Sequence, residues 1–295
     1  MDKKRAISLI KLILSMAIFS TIGAVVRGVS FGSGFSAMVR GFIGAGSIIL
    51  YMLLTKKKID FSGIRKNLLT LAISGAFIGV NWLLLFESYR FTTIATATVC
   101  YNIAPIFVIV LTPLVLKARV PMKKWLCVCC AFVGIILVSD LLSLGKGDSP
   151  LAGVALSLSA AFFYSCVTLI NKRISGISSY DITVVQLIFA SAVIAPYAFL
   201  VEKITPEMFN PTSIILLLLL SVVHTGLAYV LYFSSIRELS SDTVAVFTYI
   251  DPIGAVLISV LAFNESMSPL GIVGAVMIFL SVFFSELKLK IKEKK

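Results

Sequence analysis

Ten apolar stretches, each close to the roughly 20 residues that span the hydrocarbon of a bilayer, confine this chain to a membrane-embedded helical bundle. They cover residues 7–26, 35–54, 68–87, 92–116, 124–142, 151–170, 182–200, 213–236, 243–263 and 269–286, with short connections and no length left for a soluble domain in 295 residues. Runs such as Ser213 to Val223 are apolar all round rather than alternating. That pattern selects helices over barrel strands, because each helix closes its backbone hydrogen bonds within itself. A composition with 59% hydrophobic and 14% charged residues supplies too little polar surface for water. Lys3, Lys4 and Arg5 ahead of the first stretch resemble the start of a signal peptide, but that stretch is full length and opens a repeat, so it is expected to remain as a span.

A net charge of +12 raises the question of a nucleic-acid partner, and the placement of the basic residues answers it. With the N-terminus inside, Lys56, Lys57, Lys58, Lys117, Arg119, Lys123, Lys124, Lys172, Arg173, Arg237 and the lysines from Lys288 onward all fall on the cytoplasmic side. The outer segments hold only Arg27, Arg90, Lys146 and Lys203, while Arg40 lies within a span. This bias predicts cytoplasmic termini and basic loops facing anionic lipid headgroups, with no nucleic acid required. Cys100, Cys127, Cys129, Cys130 and Cys166 all fall in spans and read as small apolar residues, so neither a disulfide nor a metal is expected. No Gly-rich nucleotide loop ending in Lys-Ser or Lys-Thr occurs, and no cofactor is expected.

The two halves repeat at an offset of about 147 residues. Phe86 to Arg90 lies over Phe233 to Arg237, and fifteen positions beyond each arginine come Pro105 and Pro252, both within spans. Ser15 to Phe19 resembles Ser159 to Phe163, and Arg40 lies over Gln186. The expected division is one repeat over 1–146 and another over 147–295. Five spans per repeat, an odd number, would reverse the second copy in the membrane, and such inverted repeats enclose a central site.

These residues carry a resemblance to a known group. The stretch from Tyr232 through Arg237 to Asp251-Pro252, the continuation from Phe263 past Glu265 to Pro269, and Gly271 and Gly274 in the last span resemble the ten-helix EamA-type members of the drug/metabolite transporter superfamily. Asn81-Trp82 and Tyr101 to Pro105 resemble the same pattern in the first copy. Two departures stand out: Asp251 replaces the usual glutamate before proline, and the first half has Ala118 at the position of Glu265. The resemblance implies a secondary carrier in the bacterial cytoplasmic membrane, exporting or exchanging a small metabolite, with a homodimer compatible with it. The other classes to weigh are a lipid-substrate flippase and a membrane enzyme of lipid-linked intermediates.

Polar groups in hydrocarbon are costly and turn toward a bundle interior or cavity, so they are the candidates for a transport path. Ser221, Thr225, Tyr229, Tyr232 and Ser235 follow helical spacing in the eighth span, as either a cavity lining or interhelical hydrogen bonds. Trp82 lies over Tyr229, and Phe77 over His224, at the repeat offset. Asn81, Trp82, Tyr101, Asn102, His224, Tyr229, Tyr232 and Tyr249 are expected on the path, with helix kinks at Pro105 and Pro252. Arg40 has two readings: a side chain snorkelling to the outer headgroups, or a planar fork for a carboxylate or phosphate. Glu87, at a span end, is expected to be solvated or paired with Arg40 or Arg90. His224, the single histidine, and Asp251, in mid-membrane, are the candidates for proton coupling, each also explained as a hydrogen-bonding member of the bundle.

Overall fold

A computed structural model describes residues 3–115, 117, 119–139 and 151–286, and the described residues form helices without strands. Among the described residues, eight helical segments are long and apolar enough to cross a membrane: Lys4–Gly28, Ser33–Leu54, Phe61–Phe91, Ile94–Val115, Leu151–Asn171, Ser179–Leu200, Pro211–Ser235 and Val246–Phe263. A shorter apolar helix, Pro269–Ser285, and the 17-residue helix Met122–Val138 lie beside them. The chain is therefore a multi-pass membrane protein. Lys146, Ala118 and the lysines from Lys288 onward lie outside the described residues.

Several helix starts are written locally. Asp60, Thr93, Ser178, Asn210 and Ser240 each accept a hydrogen bond from a backbone N–H three residues ahead, satisfying an amide that the helix leaves unpaired. They begin α4 (Phe61–Phe91), α5 (Ile94–Tyr101), α9 (Ser179–Leu200), α10 (Pro211–Leu218) and α12 (Ser241–Thr248). The stretch expected over 68–87 is one 31-residue helix, α4, which extends well past the hydrocarbon.

Two of the expected spans are broken instead of continuous. After α5 the chain turns at Asn102 and Ile103 before α6 (Ala104–Val115); after α12 it turns at Tyr249 before α13 (Ile250–Phe263). The cause is the same in both. Pro105 and Pro252 have no N–H to offer the carbonyl four residues back, and the ring crowds that turn. The first span also bends, at Thr21, between α1 (Lys3–Ser20) and α2 (Ile22–Gly28). In the eighth stretch, Leu219–Leu227 is wound as a π-helix between α10 and α11 (Ala228–Ser235).

Packing relies on small residues, as expected where lipid gives no hydrophobic reason for helices to associate. α7 (Met122–Val138) and α14 (Pro269–Glu286) approach so closely at Gly134 that a Cβ there would sit 2.8 Å from the Gly274 carbonyl. α4 meets α9 in the same way: a Cβ on Gly79 would lie 2.7 Å from the Ala190 carbonyl. α4 also packs on α8 (Leu151–Asn171), and α3 (Ser33–Leu54) on α9.

The two ends of the bundle differ in chemistry. At one end Lys57 lies 3.9 Å from the ring centre of Tyr180, with Arg237 at 5.8 Å. At the other, Glu202 accepts from the amides of Gly34 and Phe35 at 2.7 and 2.8 Å, anchoring the start of α3.

Candidate functional site

A cavity of about 790 Å³ lies between residues of both halves. It runs from Arg40 and Trp82 to Lys124, Ile236, Leu239 and Ser285, at the end of the bundle that carries Lys57 and Arg237. A second chamber of about 590 Å³ lies at the opposite end, lined by Arg27, Arg90, Glu202 and Lys203. Tyr89 lines both and stands in the partition between them.

Arg40 shapes the deep end of the larger cavity. The residue is 3% exposed, and its Nε donates to Thr225 Oγ1 at 2.7 Å across the two halves. Its guanidinium carbon stands 4.1 Å from the ring centre of Trp82 and 5.5 Å from that of Phe86. Such stacking holds a planar cation at modest cost where water is scarce. Among the described residues nothing accepts from its two terminal amino groups, and neither is sealed away from the cavity. The snorkelling reading is thereby corrected: Thr225 and Trp82 draw the side chain inward. Glu87 pairs with Arg90 at 3.0 Å and accepts from Ser33 at 2.7 Å, leaving Arg40 without a carboxylate partner among the described residues.

Asp251 lines the same cavity from the first turn of α13, just beyond the break at Tyr249. Among the described residues its carboxyl has no hydrogen bond or ion pair, so it does not serve the backbone opened by Pro252. One cavity thus holds a guanidinium whose amino groups have no partner among the described residues, and a carboxyl that has none among them either. The aromatic side chains between them offer faces to an apolar or cationic group.

The other expected path residues divide. Trp82, Tyr101, Asn102, Pro105, Tyr229 and Tyr232 line the cavity, so the aromatic pair found at the repeat offset faces one space. Asn102 spends its amide on the Thr98 carbonyl at 2.8 Å. Asn81, His224 and Tyr249 do not line it. Asn81 is buried, donating to the Ala160 carbonyl at 2.6 Å. His224 bridges the bend at Thr21, with Nε2 2.7 Å from the Thr21 hydroxyl and Nδ1 3.1 Å from the Leu219 carbonyl. Tyr249 packs edge-on against Phe279 and Phe283 of α14. The polar stripe splits too: Tyr229 and Tyr232 reach the cavity, while Ser221, Thr225 and Ser235 bond carbonyls of their own helix.

Sequence reasoning missed Tyr89, Tyr164 and Thr98, which also line the cavity. Tyr164 has its ring centre 5.8 Å from that of Tyr101, so each half contributes one member of a facing pair. Its position in α8 alone carried no signal, because Phe162 and Phe163 stand beside it and the sequence does not mark which ring faces the cavity.

A helical bundle in the bilayer, with a largely apolar cavity that carries Arg40, Lys124 and Asp251 and reaches one end, and a partition at the other, has the form of a membrane transporter. The chain belongs to the EamA-like transporter family, whose model matches residues 6–140 and 151–287. An uncharacterized transporter of Bacillus subtilis (strain 168), YxxF, is 24% identical over 94% of this chain and 89% of its own length. Protein PecM of Dickeya dadantii (strain 3937) is 30% identical over 68% of each chain. A solved structure described as "Crystal structure of protein" has the same fold, with a TM-score of 0.65 and 14% identity over 95% of this chain and 97% of that one.

Proposed function

We propose that this protein is a secondary carrier of ten spans, with both termini cytoplasmic, that exports or exchanges a small carboxylate-bearing metabolite, an amino acid or related compound, across the cell membrane of a bacterium. The division into inverted repeats over 1–146 and 147–295 is part of the same reading. One observation carries the substrate class: the Arg40 guanidinium, buried and stacked on Trp82, lines the cavity and, among the described residues, is bonded through Nε alone. A guanidinium in that state is a fork for a carboxylate. Asp251 in the same cavity suits the ammonium group of a zwitterion, or a proton exchanged for it.

The basic segments favour the Lys57 end as cytoplasmic. On that assignment the cavity is open inward and the partition at Tyr89 faces outward, one of the two states that alternating access requires. A flippase needs a lateral opening for acyl chains, whereas a cavity lined by Arg40, Asp251 and tyrosines suits a small polar solute. A homodimer is compatible with this reading and is not needed for it.

The test is thermal stabilisation of the purified carrier across a panel of amino acids and related carboxylates. Binding to the folded state at about 100 times Kd raises stability by about 2.7 kcal/mol. A response to one carboxylate that disappears in Arg40→Ala, with the variant still folded, supports the reading. The same response in Arg40→Ala, or stabilisation by lipids only, overturns the assignment of the site.

A further inference from the structure

The partition between the two chambers is held by one cross-molecule cluster. Arg27, in the last turn of α2, gives one terminal amino group to Glu265, in the connection between α13 and α14. Its other amino group donates to the Tyr89 carbonyl at 3.1 Å and the Thr92 carbonyl at 2.8 Å, and Nε reaches Tyr89 at 3.3 Å. The second oxygen of Glu265 accepts from the Ile94 amide at 2.9 Å and from the Ser259 hydroxyl, whose oxygen in turn accepts from the Ala95 amide at 3.2 Å. The end of α4, the start of α5 and the end of α2 are thereby tied to the α13–α14 connection. Asn264, in the left-handed region at φ 51°, ends α13 and turns the chain so that Glu265 points back at α5.

The position of this cluster matters more than its strength. Ser20, Ile22 and Gly23 line the larger cavity, whereas Val26, Arg27 and Val29 line the smaller chamber. The first span therefore passes from one chamber to the other beside Tyr89, with Arg27 just beyond it. A solute in the larger cavity reaches the smaller one only if α2 or the α4–α5 joint moves away from the α13–α14 connection, and that motion breaks the Arg27–Glu265 pair.

We infer that Arg27 and Glu265 are the outer gate of the transport path, with the 590 Å³ chamber as the vestibule beyond it. This inference rests on the carrier reading above. The sequence offers no acidic counterpart at the matching position of the first half, which is Ala118 where the second has Glu265. The pair is made in the form observed and must break for the outer end to open, so it biases the carrier toward that form.

The gate is tested without any substrate. Thr98, in the larger cavity, is changed to cysteine in a background whose native cysteines are replaced, and an impermeant thiol reagent is added to intact cells. Labelling is expected to be slow with the gate intact and about tenfold faster in Glu265→Gln, since the lost contact shifts the population toward the outward-open state. Arg27→Lys, which keeps the charge but cannot hold Tyr89, Thr92 and Glu265 together, is expected between the two. Equal rates in the parent, Glu265→Gln and Arg27→Lys, with normal insertion and an unchanged melting temperature, would overturn the gate. A variant that only melts earlier, with labelling unchanged, also overturns it and leaves the cluster as a structural tie. A gated labelling pattern in a protein that no carboxylate stabilises would count against the substrate assignment alone.

Discussion

The two helix breaks occupy matching places in the two halves, yet they do different things. The first, at Asn102 and Ile103, is closed on itself: the Asn102 side chain returns to the Thr98 carbonyl, and Ala104 precedes the proline. The second, at Tyr249, places Asp251 before the proline and leaves its carboxyl in the cavity with no hydrogen bond or ion pair among the described residues. The deep wall of the cavity shows the reverse asymmetry. Arg40 brings charge from the first half, whereas Gln186, at the matching position in the second, bonds Ser74 and Asn171 and stays in the packing. The proline breaks recur at matching places in both halves. The cavity charges differ between the halves, with Arg40 and Lys124 from the first and Asp251 from the second.

The sharpest way to break this comparison is to make Arg40 resemble its counterpart. Arg40→Gln is expected to lower affinity for a carboxylate substrate by about a hundredfold, the scale of the roughly 1.5–3 kcal/mol carried by charged hydrogen bonds. Binding measured on purified protein decides it, and unchanged affinity would return the recognition role to other groups. Asp251→Asn, which neutralises the second half, comes next. Gradient-driven uptake in proteoliposomes should fall to the level of simple exchange, whereas normal uptake over a pH series would remove Asp251 from coupling.

Thr225→Val keeps the shape but removes the acceptor for Arg40 Nε. A loss of about 1 kcal/mol, near tenfold in substrate affinity at most, is expected from a looser guanidinium, read from the same binding assay. The smallest effect belongs to the closed break: Asn102→Ala removes a bond that stays within its own turn and should cost about 0.5 kcal/mol of stability or less, with transport retained. A larger loss of transport in Asn102→Ala than in Asp251→Asn would invert the comparison.

Hydrophobic runs, basic loops, the two Arg-to-Pro registers and the cap residues are all local signals, and they were enough to read a multi-pass helical bundle of the EamA type from the sequence. The proline breaks were also within reach, since a missing N–H four residues after a carbonyl is a property of the chain itself. The site was only partly legible. Trp82 and Tyr229 could be paired by the repeat, but His224, Asn81 and Tyr249 have the same polar or aromatic character and turn away from the cavity. The π-helix at Leu219–Leu227 adds a residue to the turn, so a stripe drawn at ordinary helical spacing drifts off the face it began on.

What the sequence determined by itself is thus the solvent of the protein, its helical class and its duplicated plan, because each follows from periodicity and composition within a span. What only the tertiary structure decided is which polar groups meet. Arg40 finds Thr225 from a position 185 residues away, and Arg27 finds Glu265 from 238. In a bilayer the lipid-facing and cavity-facing sides of a helix are both largely apolar, so no pattern along the chain marks the side that will face a partner. Only the packing of one helix on another, set by close approaches such as Gly134 on Gly274, chooses it.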